Sequence, residues 1–238
     1  MTGVPVWFRF HGELNDFLTA GRRNSEFEHA AGPTDTIKHV IESLGAPHTE
    51  IGQILVNGQV VPSSARVAEG DHIGVYPHPR PVILNEPRFV LDGHLGRLAA
   101  YLRMLGFDVW YDRFADDARL AAVSGGEART LLTRDIGLLK RREVESGYCV
   151  RHDKPHDQLR EVSRRFALYS RFLPFTRCMD CNGPLRAVAK DEVADLLPPH
   201  TRETKNEFSR CGVCRKVFWR GTHYDRLLTL LESLTANP

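Results

Sequence analysis

The sequence lacks any long run of apolar residues, although 42% of its 238 residues are apolar. No stretch approaches the roughly 18 uncharged apolar residues that a membrane span requires, so we expect no membrane association. The first residues, MTGVPVWFRFHGELNDF, show no basic region followed by an apolar region. This absence predicts a cytoplasmic protein without a secretory signal.

Cysteine and net charge are also low. Five cysteines in a reducing compartment argue against a disulfide framework, and a net charge of +2 does not mark the whole chain as a nucleic-acid binder. Positive charge is nevertheless concentrated between residues 140 and 177. A surface for phosphate chains and a solvated helical face both explain this concentration. The basic residues are Lys140, Arg141, Arg142, Arg151, Lys154, Arg160, Arg164, Arg165, Arg171 and Arg177.

The pattern of residues 1–80 predicts a β-grasp, ubiquitin-like domain with the order β-β-α-β-β. Asn57-Gly58, between two apolar runs, predicts a tight hairpin because both residues tolerate positive φ. A Thr or Asp within residues 34–36 begins the helix, and Gly45 ends it. Other strands are predicted at Val4–Phe10, around Phe27 and at Asp71–Tyr76. The segment resembles the sulfur-carrier subfamily of this fold, which includes the molybdopterin-synthase small subunit and the thiamin sulfur carrier.

A sulfur carrier needs a free Gly-Gly end that can be activated, and this segment has none. It runs instead into Tyr76-Pro77-His78-Pro79-Arg80-Pro81, a stiff extended stretch. Sulfur transfer is therefore not expected, whereas docking of a protein partner or guidance of RNA stays open. We predict a proline-rich linker over residues 81–87.

Residues 88–174 predict a second domain, in which strands and helices alternate and the last helix covers His156–Leu173. Such alternation indicates an α/β fold with a parallel sheet and helices on its faces. Residues 175–235 contain two C-x-x-C pairs, at 178–181 and 211–214, which predict a zinc ribbon that is followed by a C-terminal helix. The predicted fold class is therefore α/β, with an N-terminal β-grasp domain, a parallel-sheet domain and a C-terminal ribbon.

Acidic residues follow the predicted strands of the second domain. Asp92 and Asp135 each come at the end of a strand, and Asp116-Asp117 opens a helix. Ligands of open parallel sheets bind beyond the carboxyl ends of strands, so these acids can converge. Clustered carboxylates repel one another unless a cation joins them, and magnesium or manganese suits oxygen ligands. The alternative is that Asp116 or Asp117 caps a helix and Asp92 starts a turn.

Four of the cysteines form two C-x-x-C pairs, Cys178 with Cys181 and Cys211 with Cys214. Each pair can close a knuckle around a tetrahedral metal, and four thiolates make a closed structural zinc site. Two unrelated pairs of buried thiols are the alternative, and redox chemistry is disfavoured because it uses one pair. Cys149 is left over in a predicted strand and is interpreted as a core thiol.

Basic side chains near these motifs are candidate RNA contacts. Arg220 and His223 follow the second knuckle beside aromatic residues, a combination that suits stacking on unpaired bases. Arg97 and Arg103 lie on the helix after Asp92 and are candidates for contact with a nucleic-acid backbone. Packing of the ribbon and simple solvent exposure on the helix are the respective alternatives.

Five stretches carry a resemblance to a known family. They are LDGHLGRLAAYLRMLGFD (91–108), the DD at 116–117, LLTRDIGLL (131–139), CMDCNGPL (178–185) and CGVCRKVFWRGTHYDRL (211–227). Residues 88–235 resemble the Mut-seven C-terminal RNase family, a branch of the PIN-like nucleases. The N-terminal segment resembles the ubiquitin-like domain that often precedes it. The resemblance implies a metal-dependent RNA-cleaving site built from Asp92, Asp117 and Asp135. A fourth acid, usual in the PIN pattern, has Asp116, Asp153 and Asp157 as candidates.

The resemblance, together with the acids and the cysteine pairs, implies a metal-dependent ribonuclease with structural zinc and catalytic magnesium or manganese. The rival hypothesis is a non-catalytic RNA-binding or ribosome-associated module that uses the ribbon and the basic helix. A third possibility is a protein-interaction adaptor that acts through the ubiquitin-like domain.

Overall fold

The computed structural model describes residues 3–221, 224, 225, 227–229, 231 and 232. The N-terminal part forms one five-stranded sheet with a single α-helix. Its strands run in the order β2-β1-β5-β3-β4, with β1 parallel to β5 and the other neighbours antiparallel. This is the predicted β-grasp arrangement. The elements are β1 (Val4–Phe10), β2 (Glu26–Ala31), α1 (Ile37–Leu44), β3 (Ile51–Val56), β4 (Gln59–Val60) and β5 (His72–Pro77).

Local sequence signals explain where these elements begin and end. The Thr36 hydroxyl accepts a hydrogen bond from the His39 amide at 3.3 Å, which caps the start of α1. Gly45 ends the helix at φ 127°, and a side chain there would approach the Phe17 carbonyl to 2.3 Å. Asn57 and Gly58 turn the β3–β4 hairpin with φ values of 51° and 82°. The predicted helix cap and hairpin are thus both present.

The next part alternates strands and helices as predicted. Strand β6 pairs in parallel with β7, and β8 pairs in parallel with β9. All four residues of β8 are buried, as expected for a strand covered on both faces. The elements are β6 (Arg88–Leu91), α2 (Gly96–Met104), β7 (Asp108–Tyr111), α3 (Asp117–Gly126), β8 (Thr130–Thr133), α4 (Ile136–Leu139), β9 (Gly147–Cys149) and α5 (Pro155–Arg165).

Helix α5 is shorter than its apolar spacing predicts. The pattern extends from residue 156 to residue 173, but the helix ends at Arg165. Ala167 adopts a left-handed conformation with φ 49°, and the Leu168 amide bonds back to the Ser163 carbonyl at 2.9 Å. This closure normally uses glycine, so an alanine at the position conceals the helix end in the sequence.

The C-terminal part contains a small antiparallel sheet in the order β10-β11-β12. Val193, Leu197 and Phe208 form its buried apolar cluster. A three-stranded antiparallel sheet of this kind carries the cysteine pairs of a zinc ribbon. The elements are β10 (Leu185–Val188), α6 (Pro199–Thr204), β11 (Phe208–Cys211) and β12 (Val217–Trp219), and the described residues beyond Gly221 are helical.

The chain folds into two compact units. The first comprises Met1–Val82 with Asp116–Cys149, and the second comprises Ile83–Ala115 with Val150–Pro238. The segment from α3 to β9 therefore belongs to the same unit as the β-grasp domain. Within the described residues, no helix combines the length and the apolar character needed to cross a membrane.

Candidate metal centres

The four paired cysteines converge on one point in the ribbon. All four sulfur atoms lie within 4.8 Å of one another. The Sγ atoms of Cys178 and Cys214 are 3.7 Å apart, and those of Cys181 and Cys211 are 3.4 Å apart. Zn–S bonds of about 2.3 Å place tetrahedral sulfur ligands about 3.8 Å from one another. The cluster therefore has the size and donor set of a tetrahedral metal site.

Backbone geometry shapes both knuckles in the same way. The residue after the second cysteine of each pair, Asn182 or Arg215, has a left-handed φ of 68° or 67°. In the first knuckle, the Cys178 amide donates to the Gly183 carbonyl at 2.8 Å. A side chain at Gly183 would come within 2.9 Å of the Cys211 sulfur. Glycine is required there because the two knuckles approach each other closely.

The thiols differ in their affinity for protons. Burial raises the pKa of Cys178 to about 12. Burial also acts to raise the pKa of Cys181, but hydrogen bonds from the Gly183 amide and from neighbouring thiols lower it to about 7. A bound cation favours the thiolate form of every ligand, so metal binding would release protons, chiefly from Cys178.

Arg103 anchors the first knuckle. Only 4% of this residue is exposed. Its Nη1 donates to the carbonyls of Met179 and Asp180 at 3.2 and 2.7 Å, and its Nε and Nη2 donate to the Val109 carbonyl at 3.1 and 2.9 Å. Burial lowers the pKa of Arg103, and nearby Cys181 acts in the opposite direction. The prediction that Arg103 contacts RNA is therefore wrong, because its guanidinium is enclosed and hydrogen-bonded within the protein.

Asn182 is a second anchor, which the sequence analysis did not identify. Its Oδ1 accepts from the Val109 amide at 3.0 Å, and its Nδ2 donates to Asp108 Oδ1 at 2.8 Å. Asn182 thus tolerates a left-handed backbone and ties the knuckle to β7. An asparagine directly after a C-x-x-C pair is the signal that could have revealed it.

Asp92 follows β6 directly and is only 7% exposed. Its Oδ1 accepts a hydrogen bond from the His94 amide at 2.9 Å. The backbone after it is tightly packed, since a side chain at Gly93 would approach the Arg113 carbonyl to 2.6 Å. Asp92 thus follows the end of the strand, as predicted, and also starts the turn that was the alternative prediction.

Asp135 lies two residues beyond β8 and begins α4. Its Oδ1 accepts from the amides of Gly137 and Leu138 at 2.7 and 3.2 Å. These bonds fix the carboxylate on the first turn of the helix, and neither uses Oδ2. Thr133 is fully buried, and its hydroxyl accepts from the Asp135 amide at 2.9 Å.

Asp116 and Asp117 have different roles at the start of α3. The carboxylate of Asp116 accepts from the Arg119 amide at 2.8 Å, so Asp116 is the helix cap. Asp117 is the exposed first residue of the helix. Asp153 is exposed, and Asp157 pairs with Arg160 at 3.4 Å on α5. A joint metal site of Asp92, Asp117 and Asp135, and the identity of a fourth acid, stay predictions.

The other candidate RNA contacts have these placements. Arg97 is exposed on α2. Arg220 is exposed, pairs with Glu207 at 3.0 Å and lies over the Tyr224 ring at 5.5 Å. His223 lies outside the described residues. In the basic stretch, Arg171 donates to the carbonyls of Leu84 and Asn85, and Arg177 to those of Gly106 and Asn182. Part of the basic stretch therefore forms hydrogen bonds to the backbone of the protein itself.

The fold and the cysteine centre define the class of protein. It has a β-grasp domain followed by a parallel-stranded α/β domain with a four-cysteine ribbon. Residues 87–231 match the family model described as Mut7-C RNAse domain, and residues 3–82 match the model described as Mut7-C ubiquitin. The first match covers more than half of the chain, so the protein belongs to the Mut7-C RNAse domain family. The comparisons with curated proteins and with solved structures give no match.

Proposed function

We propose that the protein is a metal-dependent ribonuclease that hydrolyses RNA phosphodiester bonds. The observation that carries this proposal is the match of residues 87–231 to the Mut7-C RNAse domain. Asp92, Asp117 and Asp135 would bind magnesium or manganese. Such an ion, when bound, polarises the phosphodiester and lowers the pKa of an attacking water.

The local chemistry of the acids fits this role. Asp92 and Asp135 both come at the ends of parallel strands, where ligands of α/β proteins bind. The Oδ1 atoms of Asp92 and Asp135 accept hydrogen bonds from backbone amides, which orients both carboxylates. Oriented carboxylates are ligands that suit a hard cation. Asp117 adds an exposed carboxylate at the start of α3.

The cysteine cluster would hold structural zinc. Four thiolates with no oxygen donor favour zinc over magnesium or calcium. Zinc would lock both knuckles, and Arg103 and Asn182 would tie the first of them to β7. Arg97 keeps its proposed contact with the RNA backbone, and Arg220 keeps its proposed contact with unpaired bases, because both are exposed.

The test is cleavage of a labelled single-stranded RNA by full-length protein with manganese, with magnesium and without either ion. Zinc content is measured in parallel, so that loss of zinc from the ribbon is not mistaken for catalytic metal dependence. The Asp92→Asn/Asp135→Asn double variant keeps an oxygen for every amide bond of the two residues. We expect it to fold and to cleave at least about 100-fold more slowly.

Asp191→Asn is the matched control, because it removes an exposed carboxylate from the ribbon region. It should cleave like the wild type. If wild type and double variant bind RNA equally and neither cleaves with any ion, the ribonuclease proposal fails. The non-catalytic RNA-binding module then becomes the better explanation.

A further inference from the structure

The segment that follows Asp135 is bonded to the β-grasp part of the first unit. Lys140, directly after α4, donates from Nζ to the Glu42 carbonyl in the last turn of α1 at 2.6 Å. The Val144 carbonyl lies 2.9 Å from His48 Nε2. The Cys149 amide donates to Glu50 Oε1 at 2.7 Å. Three polar contacts thus join residues 42–50 to residues 140–149, and we call this set the clamp.

His48 is the centre of the clamp. Its Nδ1 lies 2.7 Å from Glu42 Oε1, while its Nε2 lies 2.9 Å from the Val144 carbonyl. His48 therefore bridges the two segments, with one ring nitrogen on Glu42 and the other on the Val144 carbonyl. The side chains of His48 and Glu42 are only 17% and 19% exposed.

Glu50 bonds to strand β9 from outside the sheet. The strand pairs with β8 on one side, and the fully buried Glu50 carboxylate accepts from its Cys149 amide. Thr49 packs against the same strand, since a side chain at Gly147 would lie 3.4 Å from its methyl group. A buried carboxylate is costly unless it is hydrogen-bonded, so its presence here marks a specific contact.

The clamp also determines how firmly Asp135 is held. Helix α4 has four residues and is too short to be stable without external contacts. Its start is the Asp135 carboxylate bonded to Gly137 and Leu138, and its end is Lys140 bonded to Glu42. Movement of the residues after α4 would therefore move the carboxylate of Asp135.

We propose that the β-grasp domain is a built-in positioning element for Asp135, with His48 and Glu50 as positioning residues. The domain thus has a role within its own chain that does not require a separate protein partner. The part that concerns catalysis rests on the proposed function, because it assumes that Asp135 binds the catalytic ion. The clamp itself does not depend on that assumption.

The experiment uses the full-length protein and the variants His48→Ala, Glu50→Ala and Glu50→Gln. Glu145→Ala is the control, since Glu145 is an exposed acid in the same segment. Three quantities are measured: hydrogen exchange of residues 136–149, Mn²⁺ affinity, and kcat and KM for RNA cleavage. Asp135→Asn provides the reference for complete loss of this ligand.

We expect both alanine variants to exchange at least tenfold faster in residues 136–149 and to bind Mn²⁺ at least tenfold more weakly. The kcat should fall by a similar factor with KM within about twofold. Glu50→Gln keeps an acceptor for the Cys149 amide and should stay within threefold of wild type, as should Glu145→Ala. If Glu50→Ala does not fold, His48→Gln, which keeps one donor, should give an intermediate exchange rate.

Unchanged exchange in residues 136–149 would overturn the clamp. Faster exchange with unchanged Mn²⁺ affinity would overturn the positioning of Asp135. If the wild type binds Mn²⁺ and shows the clamp but cleaves no RNA, the proposed function fails while the positioning role is retained. The two failures are therefore distinguishable.

Discussion

Replacement of Arg103 by lysine separates a structural role from an RNA contact. The guanidinium makes four hydrogen bonds to three carbonyls, on β7 and on the first knuckle. A lysine ammonium is a point charge and cannot span both groups of acceptors. Either the carbonyl on β7 or the two carbonyls on the first knuckle would then lose their donor, in a buried region where Arg103 itself is only 4% exposed.

The magnitude follows from those bonds. A buried acceptor left without its partner costs about 1–3 kcal/mol, and the lysine leaves one or two carbonyls in that state. We expect Arg103→Lys to lower the free energy of unfolding by about 3 kcal/mol. In a chain of this size, that loss lowers Tm by roughly 6–12 °C. The second unit should also release zinc to a chelator faster, since the knuckle loses an anchor.

The assay is thermal unfolding, combined with RNA affinity at fixed salt. Arg97→Lys is the control, because Arg97 is exposed on the same helix and should change stability by less than about 0.5 kcal/mol. A structural Arg103 predicts a large fall in Tm for Arg103→Lys alone. If Tm is unchanged and RNA affinity falls instead, the enclosed geometry of Arg103 is wrong and the original RNA-contact hypothesis returns.

Three further predictions concern the turns and the ribbon. Gly45→Ala should lower the free energy of unfolding by more than about 2 kcal/mol, because φ is 127° and a carbonyl lies 2.3 Å from the added carbon. Gly58→Ala, where the added carbon meets open space, should lower it by only about 1 kcal/mol. Equal losses for the two variants in denaturation experiments would contradict this. Asn182→Ala should destabilise the protein by about 1–3 kcal/mol, through two lost hydrogen bonds and a left-handed backbone. Asn182→Gly keeps the backbone and should lose less, so an equal loss would refute the backbone contribution. Zinc affinity should rise with pH because binding releases thiol protons. Above pH about 7.5, Cys181 (pKa about 7) should stop contributing to this rise, while Cys178 (pKa about 12) should continue to contribute. Competition titrations across pH would contradict this if the affinity were constant.

Short-range signals predicted most of the fold. Asn57-Gly58 fixed the hairpin because its chemistry admits few backbone conformations, and a hydroxyl before an apolar helical stripe located the start of α1. The family resemblance is confirmed by the matches to both parts of the chain. The end of α5 was missed because Ala167 takes the conformation that glycine normally signals.

Ligand-type residues could also be recognised from spacing alone. The two C-x-x-C pairs met as expected, since each knuckle is a local structure and only one closure joins them. Arg103 was misjudged for the opposite reason. Its position in the sequence predicts an exposed helical arginine, but two of its three acceptors lie 76 and 77 residues away in sequence. Nothing local distinguishes it from Arg97, which is exposed on the same helix.

The same distinction applies to Asp135. An Asp at the end of a strand predicts where a cation would bind, but the stiffness of that position depends on contacts between residues that are 96 to 99 positions apart in sequence. Catalysis requires ligands that are held in place before the reaction, because reorganisation during it raises the barrier. A predicted acid motif therefore specifies a possible site, and the distant contacts that hold it determine how well it works. In this protein those contacts come from the ubiquitin-like domain, so that domain and the acids of the first unit are best mutated and measured together.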